Sequence, residues 1–130
     1  MTLLVGYRGT NVGQELLHLA AKHAKAFDCT VHLVTSLPGG EKTSRQDIVA
    51  AEENLEKASQ FLKEEKVTAT SHLLVRDRTP GEDIVTFAQE NDCNEIIIGV
   101  KSRSKVGKLL FGSTAQYVIL KAHCPVLTVK

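Results

Sequence analysis

An α/β fold built on a parallel sheet is what this sequence predicts, and two observations carry the prediction. Short apolar runs, continuous or of period two, alternate along the whole length with stretches of period 3.6. Each helical stretch also opens on a residue able to cap it, followed three positions later by a side chain able to reach back: Asn11 with Gln14, Thr43 with Gln46, Thr79 with Glu82, and Ser113 with Gln116. The first strand is expected at Leu3 to Tyr7. The first helix, from about Val12 to Phe27, places Leu16, Leu17, Ala20, Ala24 and Phe27 on one face and His18, Lys22 and Lys25 on the other. A second strand, Thr30 to Ser36, ends before the loop Leu37-Pro38-Gly39-Gly40. The second helix, about Arg45 to Lys66, carries Ile48, Ala51, Leu55, Ala58 and Leu62 at helical spacing. A third strand follows at about Thr68 to Val75, then a third helix at Pro80 to Asn91, with Pro80 suited to a first helical position and Ile84, Phe87 and Ala88 inward. The fourth strand is Glu95 to Gly99, the fourth helix Ser113 to Ala122, and the fifth strand Val126 to Val129.

Bulk composition narrows the function. With 130 residues, 42% hydrophobic, 24% charged and a formal charge of +1, the chain suits one ordinary globular domain spanning residues 1–130 and offers no basic surface for nucleic acid. Apolar runs such as Leu3-Leu4-Val5 fall far short of the roughly 20 residues that cross a bilayer. The N-terminus shows no ordered basic, apolar and cleavage regions. A cytoplasmic protein without membrane contact is therefore expected. Cys29, Cys93 and Cys124, odd in number and widely spaced, suit reduced thiols better than disulfides or a zinc site.

The segment from Gly99 to Thr114 carries the chemistry. A buried strand ends at Gly99, a basic loop with Arg103, Lys105 and Lys108 follows, and Gly112-Ser113-Thr114 opens a helix. A glycine admits close backbone approach, and a helix start offers N–H donors and a positive dipole end, so the expected ligand is a phosphate ester. Ser113 paired with Gln116 also reads as a capping box, a role compatible with donating to phosphate, because a hydroxyl has one proton and two lone pairs. Of the five histidines, His18 and His23 diverge around the first helix, whereas His32 and His72 lie on strands expected to be neighbours and can approach each other. No nucleophile, base and acid assemble at the strand ends, and no metal set is visible.

Gly99, Ser102, Gly112 and Ser113 keep the spacing of the signature of the universal stress protein family, with serine in place of its second glycine. The resemblance extends through Gln116-Tyr117-Val118, through Cys124 to Val129, and back through Thr79 to Ile84. It implies a doubly wound five-stranded parallel sheet of order 3-2-1-4-5 with helices on both faces, the adenine nucleotide alpha hydrolase-like architecture. In a sheet of that order the loops after Tyr7 and after Gly99 face each other at the reversal of strand order, where ligands bind. The implied ligand is ATP or a related adenine nucleotide, with or without magnesium, touching Tyr7, Arg8, Ser36, Gly99, Ser102, Arg103, Gly112, Ser113 and Thr114. Family members that bind nucleotide usually have an aspartate where this chain has Arg8, and often an aliphatic residue against the base where it has Ser36. Guanidinium is donor-only, so Arg8 can pair with phosphate, stack on a base, or bridge to Glu41. Ser102 can obstruct a phosphate or donate to it.

The resemblance further implies a stress-response regulator that binds rather than hydrolyses nucleotide. Residues 99–114 include no acid to hold a metal or position water. A ligand-free interaction module of the same fold is the alternative, and Arg8 and Ser102 are its support. In either case strand 126–130 is expected at a sheet edge, pairing antiparallel with its copy in a homodimer.

Overall fold

The computed structural model describes residues 1–8, 11–76, 78–100 and 112–130. Its elements run β1 (Thr2–Gly6), α1 (Asn11–Phe27), β2 (Thr30–Leu37), a 3-10 turn (Gly40–Lys42), α2 (Arg45–Glu64), β3 (Ala69–Val75), α3 (Pro80–Glu90), β4 (Glu95–Gly99), α4 (Ser113–Lys121) and β5 (Val126–Val129). All four strand pairings are parallel, and the order is β3-β2-β1-β4-β5. The expected sheet is therefore the observed one. Chain direction across the sheet reverses between β1 and β4, whose neighbouring C-terminal ends pair Gly6 with Ile98.

Side chains alternate across the sheet and divide the core in two. Leu3, Val5, Val31, Leu33 and Ile97 face α1 and α2, meeting Leu16, Leu17, Ala20, Leu55, Ala58 and Leu62. Leu4, Val34, Ile96 and Ile98 face α3 and α4, meeting Ile84, Phe87, Ala88, Ala115 and Val118.

Three helices end in the same way. Asp28, Lys66 and Asp92 take positive φ (53°, 63° and 50°), and the next amide returns to a carbonyl five residues earlier: Cys29 to Ala24, Val67 to Leu62, Cys93 to Ala88. This is the Schellman arrangement, and the apolar pair at each closure anchors the turn that feeds the following strand. None of the three uses glycine, so the pattern could not be read from glycine positions.

Some local expectations shift. α2 is capped one residue later than the sequence suggests, by Ser44 with Asp47 in a reciprocal capping box. Thr43 instead accepts from the Gly39 amide at 3.0 Å and closes the preceding turn. α1 already includes Asn11, so its cap position falls on Thr10, outside the described residues. Phe27 is 56% exposed rather than inward, at the last residue of the helix and with its ring beside that of His23. Thr79 with Glu82 forms the expected box ahead of Pro80. Among the described residues no helix is long and apolar enough to cross a membrane.

Candidate functional site

The C-terminal ends of β1, β2 and β4 open onto a cleft of about 550 Å³. Its floor is held open by Gly6, where a Cβ would come within 3.1 Å of the Ile98 side chain and 3.3 Å of Ile84. Tyr7 leaves the sheet in a fixed direction: its amide donates to the Val34 carbonyl at 2.9 Å, and its carbonyl accepts from Thr35 Oγ1. The Tyr7 ring packs beside Gly13, and burial raises its phenol pKa above the usual 10.0. Arg8 is exposed at the rim. No ion pair joins it to Glu41 among the described residues.

Seven of the nine residues proposed from sequence line this one cleft: Tyr7, Arg8, Ser36, Gly99, Gly112, Ser113 and Thr114. Ser102 and Arg103, with Lys105 and Lys108, lie outside the described residues. Ser113 is not the cap of α4. That position belongs to Gly112, and Ser113 is the first helical residue. Gly112 has no side chain with which to cap this helix, so no N-cap oxygen takes its leading amides, which lack partners within any α-helix, and Gly112, Ser113, Thr114 and Ala115 line the cleft. The correction strengthens the anion-binding reading, because a capping serine would have occupied one of those donors.

The cleft has two chemically distinct ends. On one side are Gly99 and the start of α4. On the other, Val34 and Ser36 of β2 lie against Pro80 and Ile84 of α3. Sequence reasoning placed Ser36 here but missed the α3 half of this wall, and with it Asp83, which is 0% exposed and accepts from Ser36 Oγ at 2.7 Å. An acid in the first turn of a helix ordinarily complements the dipole from the solvent side, so the sequence held no signal for its burial.

The histidines gather elsewhere. His32 Nδ1 and His72 Nε2 are 2.9 Å apart, flanking the Phe87 ring at centroid distances of 5.3 and 4.7 Å. Burial lowers both pKa values, and the charge of His32 lowers that of His72 further. His23 Nδ1 lies 3.3 Å from Glu95 Oε1, within ion-pair range though without hydrogen-bond alignment. Among the described residues no three His, Cys, Asp or Glu side chains could hold a metal ion. Cys29, Cys93 and Cys124 are free thiols, and burial pushes Cys93 up to about 11.

A five-stranded parallel sheet of this order, with its cleft at the reversal and a helix start opening into it, defines the adenine nucleotide alpha hydrolase-like class of α/β proteins. Within that class the universal stress protein family model matches residues 1–130, and the chain belongs to that family. It is similar to a solved universal stress protein from Archaeoglobus fulgidus, with a TM-score of 0.90 and 40% identity over 99% of this chain and 97% of that one. A universal stress protein from the same organism, solved in complex with dAMP, gives a TM-score of 0.84 and 36% identity over 99% and 96% of the two chains. The universal stress protein MJ0531 of Methanocaldococcus jannaschii is 30% identical over 135 residues, which span 94% of this chain and 77% of the relative.

Proposed function

We propose that this chain is a cytoplasmic regulatory protein that binds an adenine nucleotide, ATP or a close relative, in the cleft between β1 and β4. The carrying observation is the start of α4: Gly112, Ser113, Thr114 and Ala115 all line the cleft, and the cap position, Gly112, has no side chain to take the leading amides. Backbone amides and the dipole there favour phosphate oxygens. The Val34, Pro80 and Ile84 wall supplies apolar surface for a base, and the volume lies within the range of small-molecule sites. The complex of the Archaeoglobus relative with dAMP supports the same ligand class. Arg8, exposed at the rim, suits phosphate or the face of a base rather than a ribose hydroxyl proton. Ligand binding stabilises the folded state by mass action and biases the surface that partners read.

The chain acts by binding rather than by catalysis. The described lining carries no carboxylate or imidazole, and residues 99–114 hold no acid, so hydrolysis is slow at most, with or without magnesium. β5 occupies the sheet edge and pairs with its copy through strand 126–130, giving a two-fold dimer. Isothermal titration with ATP, ADP and AMP, with and without magnesium, tests the binding reading, and absence of heat at high micromolar ligand retires it. The chain would then be a dimeric interaction module of the same fold, a reading that Arg8 at the β1 terminus favours. Light scattering showing only monomer at tens of micromolar would remove the dimer from both.

A further inference from the structure

Asp83 is the only charged side chain wholly withdrawn from solvent among the described residues. Its position is costly unless compensated, because a carboxylate in a protein interior needs hydrogen bonds or charge partners. Two features compensate it. It lies in the first turn of α3, at the positive end of that helix, and its Oδ2 accepts from Ser36 Oγ at 2.7 Å. Oδ1 is buried and has no hydrogen-bond partner among the described residues. Among the described residues Ser36 is thus the side-chain donor to this carboxylate, and withdrawing its proton would leave the group without one, which holds that proton in place.

The consequence falls on Ser36, which is only half-buried and lines the cleft. A serine hydroxyl has one proton and two lone pairs. With the proton committed to Asp83, the cleft sees a hydrogen-bond acceptor. Ser36 stands on the apolar wall with Val34, Pro80 and Ile84, across from the start of α4. A ligand whose anionic end meets α4 therefore brings its ring to Ser36.

We infer that Ser36, oriented by Asp83, is a specificity-determining residue that selects a base bearing an exocyclic amino group and disfavours one presenting a carbonyl at the same edge. Ser36 touches the ligand, and Asp83 acts through it as a positioning residue. This inference rests on the nucleotide reading above and adds the device that chooses the base.

The test is titration of the full chain with AMP, with purine riboside 5′-monophosphate, which lacks the amino group, and with IMP, which replaces it with a carbonyl. AMP is expected to bind about tenfold more tightly than either, the scale of one net hydrogen bond. Ser36→Ala should bring the three affinities to near equality. Asp83→Asn, nearly isosteric, can donate its amide to Ser36 Oγ and release the hydroxyl proton toward the ligand, so IMP should gain on AMP. Thermal unfolding of both variants confirms that they fold. Should Asp83→Asn fail to fold, the Ser36→Ala result decides. Equal wild-type affinities for the three nucleotides, or a Ser36→Ala variant that keeps the preference for AMP, would overturn the inference and leave the nucleotide reading standing. No binding of any nucleotide would end that reading, and this one with it.

Discussion

The two faces of the sheet are built differently. Against α1 and α2 the interior is almost wholly apolar: Leu3, Val5, Val31 and Leu33 meet leucines and alanines, and the buried hydroxyl of Thr35 is spent on the Tyr7 carbonyl. Against α3 and α4 the same strands carry polar groups among their hydrophobic side chains. His32 and His72 share a hydrogen bond beside Phe87, and Ser36 donates to buried Asp83. Glycines bring elements close on both faces, at Gly6 against Ile98 and Ile84 and at Gly81 against Tyr117 on this one, and at Gly13 against Tyr7 on the other. One face is packed almost wholly from aliphatic side chains, while the other accepts less favourable burial of polar groups beside the cleft. A buried polar group is retained only where its partners are fixed, which makes it useful for recognition and costly to disturb.

The comparison breaks most visibly at Leu62, 0% exposed on the apolar face. Leu62→Ala should lower stability by about 2–5 kcal/mol, the range for an emptied leucine site. Nucleotide affinity measured well below the melting temperature should not change, and a matching loss of affinity would show that the faces are not separable. Gly81→Ala probes the other side. A Cβ there would lie 2.9 Å from Tyr117 Cβ, an atom that cannot rotate away. Overpacking of this kind costs about 1–3 kcal/mol. By pushing α4 from α3 it should also weaken nucleotide binding, so unaltered titration curves would count against α4 as the anion site.

Smaller effects sharpen the contrast. Ser44→Ala removes the cap of α2 on the apolar face and should cost about 1 kcal/mol. Denaturant unfolding would register this without a change in affinity. The histidine pair should make stability depend on pH. Both pKa values are lowered from 6.5, so the unfolded chain binds more protons, and the pair's contribution is full above that value. It is lost progressively as pH falls through about 6.5 toward the lowered folded values. Chemical denaturation at pH 8 and pH 5 reads the difference. His72→Gln should flatten it, and an unflattened profile would assign the dependence to other groups.

Much of the architecture was legible because it is written locally. The strand and helix sequence followed from hydrophobic period, and the Thr79–Glu82 box ahead of Pro80 from three neighbouring residues. The α2 cap slipped by one because Thr43 and Ser44 are both competent, and only the turn that engages Thr43 with Gly39 separates them. Seven of the nine site residues line the cleft: Gly99, Gly112, Ser113 and Thr114 are marked locally as a strand end and a helix start, whereas Tyr7, Arg8 and Ser36 rested on the family resemblance. The α3 side of the wall was not foreseen, although Ser36 was, because Ser36 and Asp83 are 47 positions apart and their meeting depends on how α3 lies across the sheet.

The sequence by itself determined the alternation of elements, the glycine-marked turn after β4 and a helix start suited to an anion, all consequences of short-range sterics and backbone hydrogen bonding. Tertiary structure alone decided which face of the sheet would hold polar groups, that Gly112 rather than Ser113 would cap α4, and that Asp83 would be buried against Ser36. Burial is a property of what packs over a residue, and residue types along one helix do not encode the distance to a strand reached through a separate crossover.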